Sequence, residues 1–234
     1  KTYDEKSLKE INTAGDTTIT NNNGNLNITG TINSNNVKNN TTIINNGDAL
    51  NVATTGNINT SGNLDIQNYG AGGLNIDGNI TNNNSAFTYS EYIPDTYPGE
   101  PYTNYHYDNG QTTITNKAGT LKVNGNVNAV DNNLTMTNNG TTFTVNGNIS
   151  AENGSITLNN TNGAIDINSS ARVTTTGDNS SATEKHQTST NININNTGKG
   201  GVNVKGLVNA KNNVNIDNKN SNVVIGDNTE NNNY

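Results

Sequence analysis

TTITNKAGTLKVNGNVNAVDNN, LTMTNNGTTFTVNGNISAENGS and ITLNNTNGAIDINS follow one another over residues 112–169 and share one pattern. Aliphatic residues recur at a step of 22 positions, as in Ile114, Met136 and Leu158, and again in Val127 and Ile149. A fixed period of about 20–50 residues is typical of architectures built from stacked repeats. The fold is therefore predicted from this period rather than from local propensities.

Each repeat contains three short strand patterns. In the first strand, two inward residues are separated by one outward residue. A second strand with a similar pair follows eight to ten residues later, and a short third strand usually follows a glycine. Alternation with period 2 indicates a strand with one buried face. Three strands in about 22 residues leave no room for crossover helices and predict an all-β parallel β-helix, a solenoid. The first-strand pairs are Thr17/Ile19, Thr42/Ile44, Leu64/Ile66, Thr112/Ile114, Leu134/Met136, Ile156/Leu158, Ile192/Ile194 and Val214/Ile216.

The corners of the coil are predicted from asparagine and glycine. An asparagine stands two residues after each first-strand pair, which places it on the inward side of a corner, where stacked amides form ladders. Asparagine and glycine also tolerate the left-handed backbone that a corner is expected to need. The corner asparagines are Asn21, Asn46, Asn68, Asn116, Asn138, Asn160, Asn196 and Asn218, and the second-corner glycines are Gly30, Gly78, Gly125, Gly147 and Gly206.

The period divides the chain into three parts. Residues 1–16 form a lead-in without the repeat, residues 17–226 form one β-helix domain, and residues 227–234 form a tail that stops within repeat-like sequence. The chain therefore reads as a piece of a longer protein. Two excursions, at about 83–110 and 169–190, interrupt the repeat. Phe87 and Tyr89 are predicted to keep one strand of a ninth turn, and the three prolines beyond them predict a loop that leaves the rod.

Composition narrows the function classes. Only 28% of the residues are hydrophobic, which suits a thin rod with a narrow core better than a compact globule. The net charge of −7, with 12 basic residues, argues against nucleic acid as a partner. The sequence contains no run of 18 apolar residues, so no membrane-spanning helix is predicted. The chain has no cysteine, and its two histidines lie in separate excursions, so we expect neither a metal site nor a cofactor.

The first excursion is the candidate ligand-binding segment, because it holds six of the nine tyrosines. Tyrosine offers rigid, amphipathic contact area that stacks on sugar or peptide faces. Packing of this segment against the rod remains the competing interpretation. No catalytic residue is assigned, although paired carboxylates at glycosidase spacing remain an alternative use of the acidic residues. The candidate residues are Tyr89, Tyr92, Tyr97, Tyr102, Tyr105, Tyr107, Glu91, Asp95, Glu100 and His106.

The repeats NGNVNAVDNNLTMTNNG, NGNISAENGSITLNN and GLVNAKNNVNID resemble those of filamentous-haemagglutinin and high-molecular-weight adhesin exoproteins. The resemblance covers about residues 16–226 apart from the excursions. It implies a right-handed β-helix, secreted through an outer-membrane partner to the bacterial cell surface. It also implies attachment to a host-cell receptor or glycan, or to neighbouring bacteria, without enzymatic activity. The alternative is a β-helical polysaccharide-active enzyme or phage tailspike fragment, which should show a cleft with facing carboxylates.

Overall fold

The computed structural model describes residues 8–36, 38–83, 85–93, 102–177 and 190–226, and every regular element in these ranges is a β-strand. The strands stack as a right-handed parallel β-helix with three strands per turn, which confirms the predicted fold class. The described residues make seven complete turns and two strands of an eighth.

The strands follow the chain turn by turn. The lead-in strand is β1 (Leu8–Thr13). Turn 1 consists of β2 (Thr17–Asn21) and the long β3 (Leu26–Ser34), and turn 2 consists of β4 (Asn40–Asn45), β5 (Ala49–Val52) and β6 (Asn57–Thr60). Turn 3 consists of β7 (Asn63–Asn68), β8 (Gly73–Ile76) and β9 (Asn79–Asn83). A separate pair follows, β10 (Ser85–Ile93) and β11 (Tyr102–Asn109). Turn 4 consists of β12 (Gln111–Asn116), β13 (Leu121–Val123) and β14 (Asn126–Val130), and turn 5 consists of β15 (Asn133–Asn138), β16 (Phe143–Val145) and β17 (Asn148–Glu152). Turn 6 consists of β18 (Ile156–Asn160), β19 (Ile165–Ile167) and β20 (Arg172–Thr176), and turn 7 consists of β21 (Ile192–Asn196), β22 (Val202–Val204) and β23 (Leu207–Asn209). The partial turn 8 consists of β24 (Val214–Asn218) and β25 (Val223–Ile225).

Two parallel sheets carry these strands. The first strands of the turns form an eight-stranded sheet in the order β2-β4-β7-β12-β15-β18-β21-β24. The second and third strands belong to one 15-stranded sheet, because β3 continues from the second position into the third. Strand β1 joins this sheet by parallel pairing with β3. The register is that of the sequence period: Ile114 pairs with Ile66 on one side and with Met136 on the other.

A narrow aliphatic core runs along the axis. Each strand turns alternate side chains inward, so that Ile66, Ile114, Met136 and Leu158 form one fully buried row. Phe143 is the largest fully buried side chain of the described residues. Because each turn contributes only a few inward residues, a sequence poor in hydrophobic residues still fills this core.

The corner after the first strand holds a continuous ladder of asparagine side chains. In each of seven successive pairs, the Nδ2 group of one asparagine donates to Oδ1 of the asparagine in the next turn, at 2.7–3.3 Å. The remaining Nδ2 hydrogen commonly bonds a carbonyl of the same turn, as from Asn68 to Gly70 (3.0 Å) and from Asn160 to Ala164 (3.1 Å). These carbonyls fix the direction of the amides. The predicted inward ladder is confirmed, with members Asn21, Asn45, Asn68, Asn116, Asn138, Asn160, Asn196 and Asn218.

One ladder position differs from the prediction. In turn 2 the inward residues are Thr41, Ile43 and Asn45, whereas Ile44 is only half-buried and Asn46 is exposed. The predicted inward set was shifted by one residue. The segment reads TTIINN, so each residue type is doubled and both registers show the same alternation.

The predicted role of backbone conformation at the corners is wrong. In the described residues the non-glycine positive φ values belong to Asp131 and Asn153, not to the ladder asparagines. The second-corner glycines also have no positive φ. They are required instead by close stacking, because a Cβ atom on Gly125 would collide with the carbonyl oxygen of Gly78, and one on Gly147 with that of Gly125.

The third corner, between the third strand of one turn and the first strand of the next, has a polar interior. The hydroxyl of Thr112 accepts a hydrogen bond from Asn82 Nδ2 (3.0 Å) and donates one to Asn132 Oδ1 (2.6 Å). Other buried oxygens near this corner have no hydrogen-bond partner in the described part of the chain. They belong to Thr17, Ser34, Thr41, Thr60, Asn82 and Thr190.

Both interruptions of the repeat occur at this third corner. Strand β7 pairs directly with β12, while β10 and β11 pair antiparallel with each other, so the prediction that Phe87 and Tyr89 belong to a ninth turn is wrong. The second interruption begins later than predicted. Val173 is a buried third-strand residue that pairs with Ile149 and Val208, so Arg172–Thr176 belongs to turn 6.

Candidate functional site

The first insertion is a two-stranded antiparallel hairpin that leaves the rod between β9 and β12. Its backbone pairing runs from Ser85 opposite Asn109 to Ile93 opposite Tyr102, with one irregularity between Phe87 and Tyr89. Because β9 and β12 are consecutive strands of the coil, the insertion does not disturb the stacking of turns 3 and 4. The hairpin therefore begins and ends at one corner of the rod, between turns 3 and 4.

The hairpin brings together most of the residues predicted from the sequence as ligand-binding. Its backbone pairs place Tyr89 opposite His106 and Tyr92 opposite Thr103. Strand β10 contains Tyr89, Glu91 and Tyr92, and β11 contains Tyr102, Tyr105, His106 and Tyr107. Asp95, Tyr97 and Glu100 lie outside the described residues.

A shallow, open groove of about 380 Å³ lies on the outer face of the first-strand sheet, where the hairpin returns to the rod. Its wall is formed by Asp65 and Gln67 of β7, which lie in register beside Thr113 and Thr115 of β12. Lys117 closes one end, and Asn63 and Gln111 close the other. Gln111 follows the hairpin within two residues of Asn109, so the insertion and the groove are adjacent along the chain.

Hydrogen bonds hold one wall of the groove in a defined arrangement. The Tyr69 hydroxyl donates to Gln67 Oε1 (2.7 Å), and Gln67 Nε2 donates to Asp65 Oδ2 (2.5 Å). Tyr69, which follows β7 at the Lys117 end, keeps 47% of its surface exposed. At the opposite end the Gln111 amide N–H donates to Asn63 Oδ1 (2.9 Å). These contacts give the groove a preformed row of polar groups beside an exposed aromatic ring.

The groove supplies hydrogen-bonding groups of nearly neutral total charge. Asp65 is its single carboxylate and Lys117 its single ammonium group. Glycosidase chemistry requires two carboxyl groups that flank the scissile bond, so this groove alone offers binding groups rather than an acid–base pair. Within the described ranges, no group of three or more His, Asp or Glu side chains is placed to hold a metal ion.

The sequence did contain a signal for the groove, although the prediction missed it. The outward positions of the first strand are Thr113 and Thr115 in turn 4, and the same positions are threonine in turn 5. Turn 3 has Asp65 and Gln67 there, and it is followed by Tyr69. An interruption of a regular outward row by longer side chains marks a change of surface shape. The inward pattern, from which the fold was predicted, does not report on it.

The architecture defines the class of the chain as a right-handed parallel β-helix. Comparisons with protein-family models, with curated proteins and with solved structures each find no match for it. No helix in the described ranges has the length and apolar character needed to cross a membrane.

Proposed function

We propose that this chain is a rod segment of a large secreted bacterial surface exoprotein that mediates attachment to host cells, glycans or other bacteria. The observation that carries the proposal is the hairpin, whose two strands contain seven of the ten predicted binding residues and interrupt an otherwise regular solenoid. Loops and insertions on rigid scaffolds commonly carry binding groups. The resemblance of the repeats to adhesin exoproteins supports the same function, together with export through an outer-membrane partner.

A non-catalytic role agrees with the chemistry of the groove beside the hairpin. The groove has one carboxylate, Asp65, and one ammonium group, Lys117, together with amide and hydroxyl groups. A polysaccharide-active enzyme or tailspike fragment of the same fold would instead need facing carboxylates. The rod itself is suited to a structural role, because each turn stabilises only its neighbours and length can grow by repetition.

The test replaces residues 90–108 with a short Gly-Ser link. Cell attachment is measured, and circular dichroism and thermal unfolding report on the rod. We expect the rod to stay folded and attachment to be lost, because β7 and β12 pair without the hairpin.

A matched control replaces residues 178–189, which stand in the sequence between β20 and β21, three turns after the hairpin, and contain no tyrosine. This control should attach as the unmodified chain does. If the first replacement attaches equally well, the hairpin is not the attachment site. If the first replacement unfolds the rod, the tyrosines contribute to its packing, as the competing interpretation holds.

A further inference from the structure

We infer that the groove of turns 3 and 4 binds a neutral saccharide, with Asp65, Gln67 and Thr113 as hydrogen-bonding groups and Tyr69 as the stacking ring. This inference rests on the proposed attachment function and names the ligand class of a site next to the hairpin. The groove volume of about 380 Å³ lies near the lower end of the range of about 300–1,000 Å³ for small-molecule sites. It therefore suits a short unit of a glycan chain rather than a large ligand.

An extended peptide is a poor fit, because the groove has no free strand edge. Strand β7 pairs with β4 and β12, and β12 pairs with β7 and β15. Peptide recognition by strand addition needs unpaired backbone N–H and C=O groups along an edge. Recognition in this groove must therefore come from side chains alone.

Charge argues against anionic polymers. Lys117 is the single cation of the groove, and Asp65 offsets it. The chain as a whole carries a net charge of −7, so the long-range field repels phosphate and sulfate groups. A ligand without net charge avoids this repulsion and the cost of desolvating an unpaired ion.

The groove keeps its threonine hydroxyls available, whereas its Asp65 and Gln67 bond each other and many outward groups of the rod are engaged. On the neighbouring sheet, for example, Asn126 donates to Asn79 (2.7 Å) and Asn148 donates to Asn126 (2.8 Å). In the groove, within the described residues, the hydroxyls of Thr113 and Thr115 have no hydrogen-bond partner. Free hydroxyl groups beside a carboxylate and an amide match the vicinal hydroxyls of a sugar, which both donate and accept.

Tyr69 adds the apolar contact that a pyranose ring needs. Its hydroxyl is held by Gln67, so its ring is oriented before a ligand arrives, and nearly half of its surface remains exposed. The C–H face of a sugar packs against an aromatic ring, while its hydroxyls reach the polar row. Because the row is already ordered, little conformational entropy is lost on binding.

The experiment compares two threonines that lie side by side in the same sheet. Thr113 lines the groove, and its register neighbour Thr135, one turn away, does not. Thr113→Val and Thr135→Val each remove one hydroxyl and preserve side-chain shape. The full chain is tested on an array of neutral oligomers of glucose, galactose, mannose and N-acetylglucosamine, with sialylated and sulfated oligomers as a separate arm.

Loss of one hydrogen bond should weaken the binding of the neutral oligomers by about two- to tenfold for Thr113→Val and leave Thr135→Val unchanged. Tyr69→Ala and Gln67→Ala should weaken binding more, because Gln67 forms hydrogen bonds with both Asp65 and Tyr69. Circular dichroism checks that each variant is folded.

Three outcomes would overturn the inference without touching the proposed function. These are glycan binding that is unaffected by all three groove variants, a preference for the sulfated or sialylated oligomers, and attachment to cells without binding of any neutral oligomer. An unmodified chain that neither attaches to cells nor binds any glycan would instead refute the proposed function, and the inference with it.

Discussion

Replacing Asn138 with alanine tests the energetic weight of the asparagine ladder. Asn138 is fully buried, accepts a hydrogen bond from Asn116 Nδ2 (2.8 Å) and donates one to Asn160 Oδ1 (2.8 Å). Its side chain also bonds the turn that follows, by donating to Thr141 O (3.2 Å) and accepting from Gly140 N–H (3.3 Å). The substitution therefore breaks the ladder in its middle and removes four bonds at once.

The magnitude follows from the groups left without partners. Asn116 Nδ2 and Asn160 Oδ1 are both deeply buried, and each loses its ladder bond to position 138. An unsatisfied buried polar group costs about 1–3 kcal/mol, so the free energy of unfolding should fall by about 2–6 kcal/mol. At the ladder end, Asn21→Ala breaks one ladder bond, to Asn45 Oδ1, instead of two, and should cost about half as much.

Urea unfolding followed by the β-sheet circular dichroism signal measures these differences through the transition midpoint and slope. Asn139→Ala is the matched control, because Asn139 is the next residue and its side chain accepts a single exposed bond from Thr161 (3.3 Å). That control should change stability by less than about 1 kcal/mol. Equal midpoints for the Asn138 and Asn139 variants would refute the reasoning, since the ladder would then contribute nothing that water does not replace.

Three further substitutions test the packing of the coil, each by thermal unfolding of the full chain. Val145→Asp puts an unpaired charge among stacked aliphatic side chains and should prevent folding, whereas the outward Thr144→Asp should cost under about 1 kcal/mol; similar effects would mean that the register is wrong. Thr112→Val breaks two buried hydrogen bonds and should destabilise the rod by about 1–3 kcal/mol. Thr60→Val should be neutral or stabilising, because the Thr60 hydroxyl has no partner in the described part of the chain. Equal losses of stability in the two variants would contradict this account of the third corner. Gly125→Ala forces a Cβ atom against the carbonyl of the preceding turn and should cost about 1–3 kcal/mol, and an unchanged melting temperature would show that the turns can separate without loss.

The sequence period predicted the stacking because the coil repeats both its inward and its corner chemistry. Ile114, Met136 and Leu158 recur at the period and pair in register as buried neighbours. The asparagines followed the same logic, since an inward amide at a corner can satisfy its donors and acceptors through the turns above and below. Because buried polar groups almost always form hydrogen bonds, such a pattern can be recognised from the sequence.

Local degeneracy explains where the prediction failed. TTIINN in turn 2 permits two registers, and only the pairing with turns 1 and 3 selects Ile43 as the inward residue. Val173 escaped notice because its strand, β20, follows Ala171 instead of the usual glycine. The hairpin strands likewise alternate like coil strands, so residues 85–93 did not reveal that their partner is β11.

The candidate site was harder to predict than the fold, because its shape depends on outward residues of different turns. Asp65 and Thr113 lie 48 positions apart in the sequence, yet they are direct neighbours in the sheet once the hairpin is looped out. No local pattern joins them. The tyrosine-rich hairpin was found by its composition, whereas the groove required the register.

The two insertions occur at the same corner of the rod. The number of repeats between them therefore sets the distance between the two insertion points along the axis. They interrupt the coil between turns 3 and 4 and between turns 6 and 7. At about 4.8 Å per stacked strand, three turns separate their bases by about 14 Å along the axis. Gain or loss of a whole repeat between them would change that spacing in steps of one strand and keep both insertion points at the same corner. A gene that duplicates or deletes repeats can thus adjust the distance between two insertion points without redesigning either one.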